Sequence, residues 1–211
     1  MMATPKLLLQ TRIRLMIAGW GAIGLSYWIG HLISRPAHIL HESLLDRLIP
    51  FDPSFVWLYL SFFLFVPMAY LFSAPSRVKP LARAMQMSAV FAAVVFVICP
   101  TTLVYPAIPS ETLSDILMNL LARIDTTQNC LPSLHGALTL LCIVALWQRE
   151  RPWRSALVLL WGVVIMWAVL QTRRHLVIDL GAGLLLGAAC AWLAARQSAM
   201  MAASPLATGN P

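Results

Sequence analysis

Six apolar stretches of nearly membrane-spanning length, almost free of Asp, Glu, Lys and Arg, dominate this 211-residue chain. A helix rises about 1.5 Å per residue, so crossing a hydrocarbon core about 30 Å thick takes roughly 20 apolar residues. The runs cover residues 15–34, 53–76, 84–105, 132–148, 155–172 and 175–195. Pro100, Pro106 and Pro109 break or kink the end of the third, and Asp179 alone interrupts the sixth. With 60% hydrophobic and only 11% charged residues, the chain lacks the polar surface of a soluble domain. The expected fold is all-α: a six-helix transmembrane bundle over residues 15–196, with a cytoplasmic tail at 1–14 and a disordered tail at 197–211.

The charges orient this bundle. Lys6, Arg12, Arg14, Arg77, Lys79, Arg83, Arg149, Arg151, Arg154 and Arg196 fall on one side; Arg35, Arg47, Arg123, Arg173 and Arg174 fall on the other. The two-to-one bias predicts cytoplasmic termini, in what is read as a plasma (inner) membrane. The net charge of +7 is thus a topology signal and a contact to anionic headgroups, not a nucleic-acid surface. The basic N-terminus before an apolar run resembles a signal peptide, but the run is about 20 residues long without an obvious cleavage site, so it is expected to stay as a span. Cys99, Cys142 and Cys190 lie within apolar runs and Cys130 stands alone, so neither a disulfide framework nor a metal site is expected.

Two outer connections, 35–52 and 110–124, have the pattern of short amphipathic helices lying on the membrane surface. His38, His41 and Glu42 in the first have a spacing compatible with a metal, but three ligands on a short surface helix read better as a solvated face. Gly183 and Gly187, four apart, predict a close helix–helix approach.

Ionisable groups inside spans are costly, and here they converge. His135 opens the fourth span, and His175 and Asp179 open the sixth. Both spans start on the outer side, so the three groups share one face although 40 positions separate the histidines. Pro132 suits a first helical turn, with Asn129 or Leu131 near the cap, leaving free N–H groups for an anion; Ser133 adds a hydroxyl. His175 and Asp179 are four apart, where a carboxylate can orient an imidazole. Arg173 and Arg174 are the nearest fixed cations for phosphate oxygens.

The stretch Asp125-Thr-Thr-Gln-Asn129-Cys-Leu-Pro132-Ser133-Leu-His135 resembles the second signature of the type 2 phosphatidic acid phosphatase superfamily. It is most similar to the branch containing inositolphosphotransferases. His175-x-x-x-Asp179 followed by Gly181 and Gly183 resembles the third signature, and together the likeness covers roughly residues 55–195. It implies a metal-independent, cofactor-free phosphatase or phosphotransferase acting on a lipid phosphate, lipid diphosphate or phospholipid. In it His175 attacks phosphorus to form a phosphohistidine, Asp179 orients and activates it, and His135 serves as acid and base. Asn129, Ser133, Arg173 and Arg174 are the expected phosphate contacts, with Arg123 a further candidate. The chain departs from the family pattern in three places: Arg35-Pro36 has no lysine at the first-signature distance, Val169 stands where an arginine is usual, and Leu134 replaces a glycine. Three other classes compete: an intramembrane serine hydrolase built on Ser133, a non-catalytic lipid transporter or lipid-binding protein, and metal-dependent chemistry at His135, His175 and Asp179.

Overall fold

A computed structural model describes residues 5–32, 36–125 and 128–203 of the chain. Arg35 of the first-signature comparison lies outside them. The chain folds into long helices: α1 (Pro5–His31), α3 and α4 (Val56–Leu60 and Phe62–Phe72), α5 (Pro75–Ile98), α7 (Leu134–Leu146), α8 (Pro152–Gln171) and α9 (Val177–Ala203). Two short helices, α2 (Leu44–Leu48) and α6 (Leu113–Ile124), lie in the connections. Among the described residues, four helical stretches are long and apolar enough to cross a membrane: Pro53–Phe72, Pro75–Ile98, Pro152–Gln171 and Val177–Met201. Their outward surfaces carry exposed Val90, Phe91, Val94, Leu157, Leu160, Leu185 and Trp192. Apolar surface of that extent is at home in lipid, and the chain is an integral membrane protein.

Several boundaries differ from the apolar runs. α5 covers Pro75–Ile98 where the third run covers 84–105: Pro75 opens it in the first turn, and it stops before Pro100, after which Thr101–Leu103 is strand. α1 begins at Pro5, within the expected tail, because Leu7–Leu9 continue the helix past the charges. α9 runs on to Ala203, through the first half of the expected disordered tail; the rest of that tail lies outside the described residues. Pro53–Phe72 is bent at Ser61, whose Oγ bonds to the Leu58 carbonyl (2.6 Å) and accepts from the Trp161 indole (3.0 Å). The chain is also not purely helical. His38–Leu40 (β1) and Thr101–Leu103 (β2) pair in parallel, a contact between segments 60 residues apart that no local periodicity announces. Of the two expected surface helices, 110–124 yields α6, opened by a Thr112–Asp115 capping box, whereas 35–52 yields β1 and the single-turn α2.

The core lies between α4, α5, α7, α8 and α9, where Phe65, Tyr70, Met85, Phe96, Leu138 and Ile165 are buried. The tightest contact is the seam between α7 and α9. A Cβ at Gly183 would stand 2.0 Å from the Ser133 carbonyl oxygen, and one at Gly187 would stand 2.7 Å from that of Ala137. One at Gly136 would meet the Leu180 carbonyl at 2.9 Å. Only glycine allows the two backbones this close, as the spacing of Gly183 and Gly187 predicts. The seam sets the starts of α7 and α9 side by side.

Candidate active site

At that end of the bundle the residue before each helix decides what points inward. α7 starts at Leu134, not at Pro132: Ser133 is its N-cap, with Oγ accepting from the Gly136 N–H (3.2 Å). Pro132 and Asn129 therefore belong to the loop, not to the first turn, and the Ser133 hydroxyl is buried in capping. The Ser133 N–H donates to the Asp179 carbonyl (3.0 Å), so the two helix starts are bonded directly. α9 starts at Val177, so His175 precedes the helix and does not share its face with Asp179. The Asp179 carboxylate closes the gap: Oδ1 accepts from the Leu176 N–H (2.8 Å) and Oδ2 stands 3.1 Å from His175 Nδ1.

The three expected groups meet. His175 Nε2 lies 3.1 Å from His135 Nδ1, and His135 Nε2 lies 2.8 Å from the Tyr59 hydroxyl. All four side chains are buried. With Asp179 ionised and both imidazoles neutral, the partners allow one set of tautomers. His175 Nδ1–H donates to Asp179, leaving its Nε2 lone pair to accept from His135 Nδ1–H. His135 Nε2 then accepts from Tyr59 O–H. The result is a row from carboxylate to phenol in which His175 Nε2 and His135 Nε2 each face a proton donor.

The adjacent arginines part ways. Arg173 takes a left-handed backbone conformation (φ 49°), which sends its side chain away from that of Arg174. It bonds to the Asp46 and Ile49 carbonyls (2.8 and 2.6 Å) and pairs with Glu42 (3.4 Å). Its partner segment is anchored in turn by Asp46, whose Oδ1 accepts from the Val177 N–H (2.8 Å). Burial raises the Asp46 carboxyl pKa, but bonds from Ser43 and Val177 and the charge of Arg173 outweigh it, leaving the group below its usual value. Arg174 instead faces the histidines. Its guanidinium meets Asp125 Oδ2 through Nε and Nη2 (3.2 and 2.8 Å) and stacks over the Tyr105 ring at 4.8 Å. Burial lowers its pKa, yet the Asp125 carboxylate, Tyr105 and Tyr59 together outweigh this and hold the guanidinium more firmly protonated than usual. Beside it, burial pushes the Tyr105 phenol up and the Cys130 thiol up to about 12. Arg123 is exposed on α6. Among the described residues, Arg174 is thus the cation at the histidine pair.

Asn129 is buried with φ 86°, and its Nδ2 donates to the Tyr27 carbonyl of α1 (3.3 Å). The loop is braced by β2: the Thr101 carbonyl accepts from the Asn129 N–H (3.0 Å) and Thr101 Oγ1 from the Leu131 N–H (2.8 Å). Tyr27, Asp125, Asn129, Arg174 and both histidines enclose a hollow of only 10 Å³. That is room for about one water, less than a phosphoryl group occupies. From the same point an apolar groove of 640 Å³ runs out between α1 and α3–α4. It is bounded by Trp20, Gly24 and Tyr27 on one side and Phe62 and Phe63 on the other, and it ends at Asp125 and His135.

Sequence reasoning missed Tyr59, Asp125 and Tyr105 as members of this site. Tyr59 had no signal, being one aromatic in an apolar span. Asp125 had one, since it heads the stretch that ends at His135, but its partner lies 49 positions away. His38, His41 and Glu42 do not gather: Glu42 is spent on Arg173, and among the described residues no three His, Cys, Asp or Glu side chains are placed to hold a metal ion.

A family model described as the PAP2 superfamily matches residues 37–193. Neither a curated protein nor a solved structure matches the chain. The matched residues are well over half of the 211 and include both histidine-bearing helix starts, so the chain belongs to the PAP2 superfamily.

Proposed function

We propose that this protein transfers a phosphoryl group from a lipid phosphoester or diphosphate through a phosphohistidine at His175, with water or a headgroup alcohol as acceptor. Membership of the superfamily supports a phosphatase-type lipid phosphoester activity in general. The observation that carries the finer reading is the row Asp179–His175–His135–Tyr59, which leaves His175 Nε2 as a buried lone pair beside a proton donor.

In the first half-reaction His175 Nε2 attacks phosphorus, and the bond from phosphorus to the lipid oxygen breaks. His135, protonated on both nitrogens once the substrate is bound, gives its Nδ1 proton to that departing oxygen and becomes neutral, while Tyr59 holds the far side of the ring. The Asp179 carboxylate stabilises the positive charge that His175 gains. In the second half-reaction His135 takes the proton of the incoming hydroxyl as its oxygen bonds to phosphorus and the N–P bond breaks. Arg174, freed from Asp125, balances the phosphoryl oxygens. Arg173 is a positioning residue holding the α2 segment against the start of α9, and Ser133 and Asn129 hold the loop and helix start at the site. A buried lone pair on His175, with Ser133 Oγ committed to a cap, favours this reading over a serine hydrolase.

We read α1 and α7 as crossing together with the four long apolar helices, six in all, with both termini cytoplasmic and the site on the outer side. Arg12, which bonds to the Tyr70 and Ser73 carbonyls, and Arg77, which bonds to the end of α7, support this. They hold basic groups at the end opposite His135.

The test uses purified protein in detergent with chelator, offered lipid phosphates and phospholipids labelled at phosphorus. Wild type should release or transfer phosphate and retain acid-labile label, and His175→Ala should lose both by at least about a thousandfold. Turnover or labelling that survives His175→Ala would falsify the mechanism.

A further inference from the structure

A second cavity, of 450 Å³, lies at the other end of α7. Leu81 and Ala84 from α5, Leu141 and Val144 from α7, and Ala191 and Ala195 from α9 line it. Its origin is the length of α7. That helix has 13 residues against 24 in α5 and 27 in α9, so a hollow remains between the neighbours where it stops. Trp147, at the end of α7, stands about 18 Å from His135 along the helix, at ~1.5 Å per residue. The cavity is therefore separate from the catalytic groups.

The lining is apolar apart from two arginines, the half-buried Arg77 and the exposed Arg149. Arg77 uses Nη1 on the carbonyls of Val144, Ala145 and Trp147, closing the end of α7. A guanidinium has five donors. Among the described residues, Nε and Nη2 of Arg77 have no partner. The two connections that carry Arg77 and Arg149 also hold Lys79, Arg83, Arg151 and Arg154 against the single acid Glu150. An apolar hollow in a membrane protein, rimmed by unspent cationic donors, matches a molecule with a long hydrocarbon chain and a negatively charged head. A choline or ethanolamine head would bring its ammonium against the same arginines.

We propose that this cavity binds an anionic phospholipid, with one acyl chain between α5, α7 and α9 and its phosphate at Arg77 and Arg149. The site requires only that the chain is a membrane protein and stands whether or not His175 is the nucleophile.

The test places the full chain in phosphatidylcholine vesicles with increasing dibrominated phosphatidylglycerol. The signal of Trp147 is isolated as the difference between wild type and Trp147→Phe. Half of that signal should be quenched at a mole fraction several-fold lower for brominated phosphatidylglycerol than for brominated phosphatidylcholine. Arg149→Gln should move the phosphatidylglycerol midpoint up at least threefold. Ala195→Phe, which fills the hollow from its rim and leaves the Arg77 cap in place, should merge the two curves. Coincident curves in wild type, or a phosphatidylglycerol curve unmoved by both substitutions, would overturn the proposal.

Discussion

A single backbone angle separates the two arginines before His175. Arg173 turns away to the α2 segment, and Arg174 is left facing the histidines with its guanidinium occupied by Asp125. A carboxylate on that guanidinium competes with a phosphate for the same donors. Asp125→Asn should therefore lower the KM for a lipid phosphate, by roughly tenfold if about 1.4 kcal/mol of competition is relieved. Arg174→Gln should raise it by at least as much. If Asp125→Asn and Arg174→Gln both raise KM alike, Asp125 is a support for Arg174 and not its competitor. Tyr59→Phe removes one hydrogen bond to His135 and keeps the ring packed against it. A bond of this kind contributes about 0.5–1.5 kcal/mol, so kcat should fall by about two- to tenfold with little change in KM. His135, His175 and Asp179 were legible in the sequence because ionisable groups in apolar runs are few and each has to find a partner. The direction of Arg173 was not, because a left-handed residue leaves no mark when the residue is not glycine.

At the scale of elements, the site rests on two helix starts held together by glycines. Gly183→Ala would drive a methyl group into the Ser133 carbonyl, which is backbone and cannot step aside. The expected cost is about 1–3 kcal/mol, read as a lower melting temperature in detergent and reduced activity. Gly181, two residues earlier in α9, has open space at its Cβ position. Gly181→Ala should keep activity and leave stability equal or higher, by up to about 1 kcal/mol of helix propensity. Equal behaviour of the two variants would mean that the seam does not set the site. The helices themselves were readable from hydropathy to within several residues, apart from α1, both ends of α5 and the end of α9. The β1–β2 pair, which braces the loop carrying Asn129 and Leu131, was not. Its three-residue strands are too short to show alternation.

At the scale of the molecule, α1 lies outside the matched family span, yet it forms one wall of the groove that ends at His135. Gly21 and Gly24 line that wall with open space before them. Gly24→Phe should fill the groove without a clash, raising KM for a long-chain lipid phosphate several-fold while leaving a short-chain, water-soluble phosphate ester unaffected. Equal loss on both substrates would place the hydrocarbon chain elsewhere. The sequence by itself determined the solvent of this protein, most of its helices and the three ionisable groups that meet at the starts of α7 and α9. Those follow from hydropathy and from the cost of charge in lipid, both of which are local properties of the chain. Only the tertiary structure decided that the Ser133 hydroxyl is spent on a cap, that Arg174 and not Arg173 stands at the histidines, and that Tyr59 and Asp125 complete the site. The cap depends on where α7 begins, since Ser133 and Gly136 are only three positions apart. The others depend on which groups meet across 49 to 127 positions of chain, and such meetings are set by packing between helices and by the backbone turn at their ends.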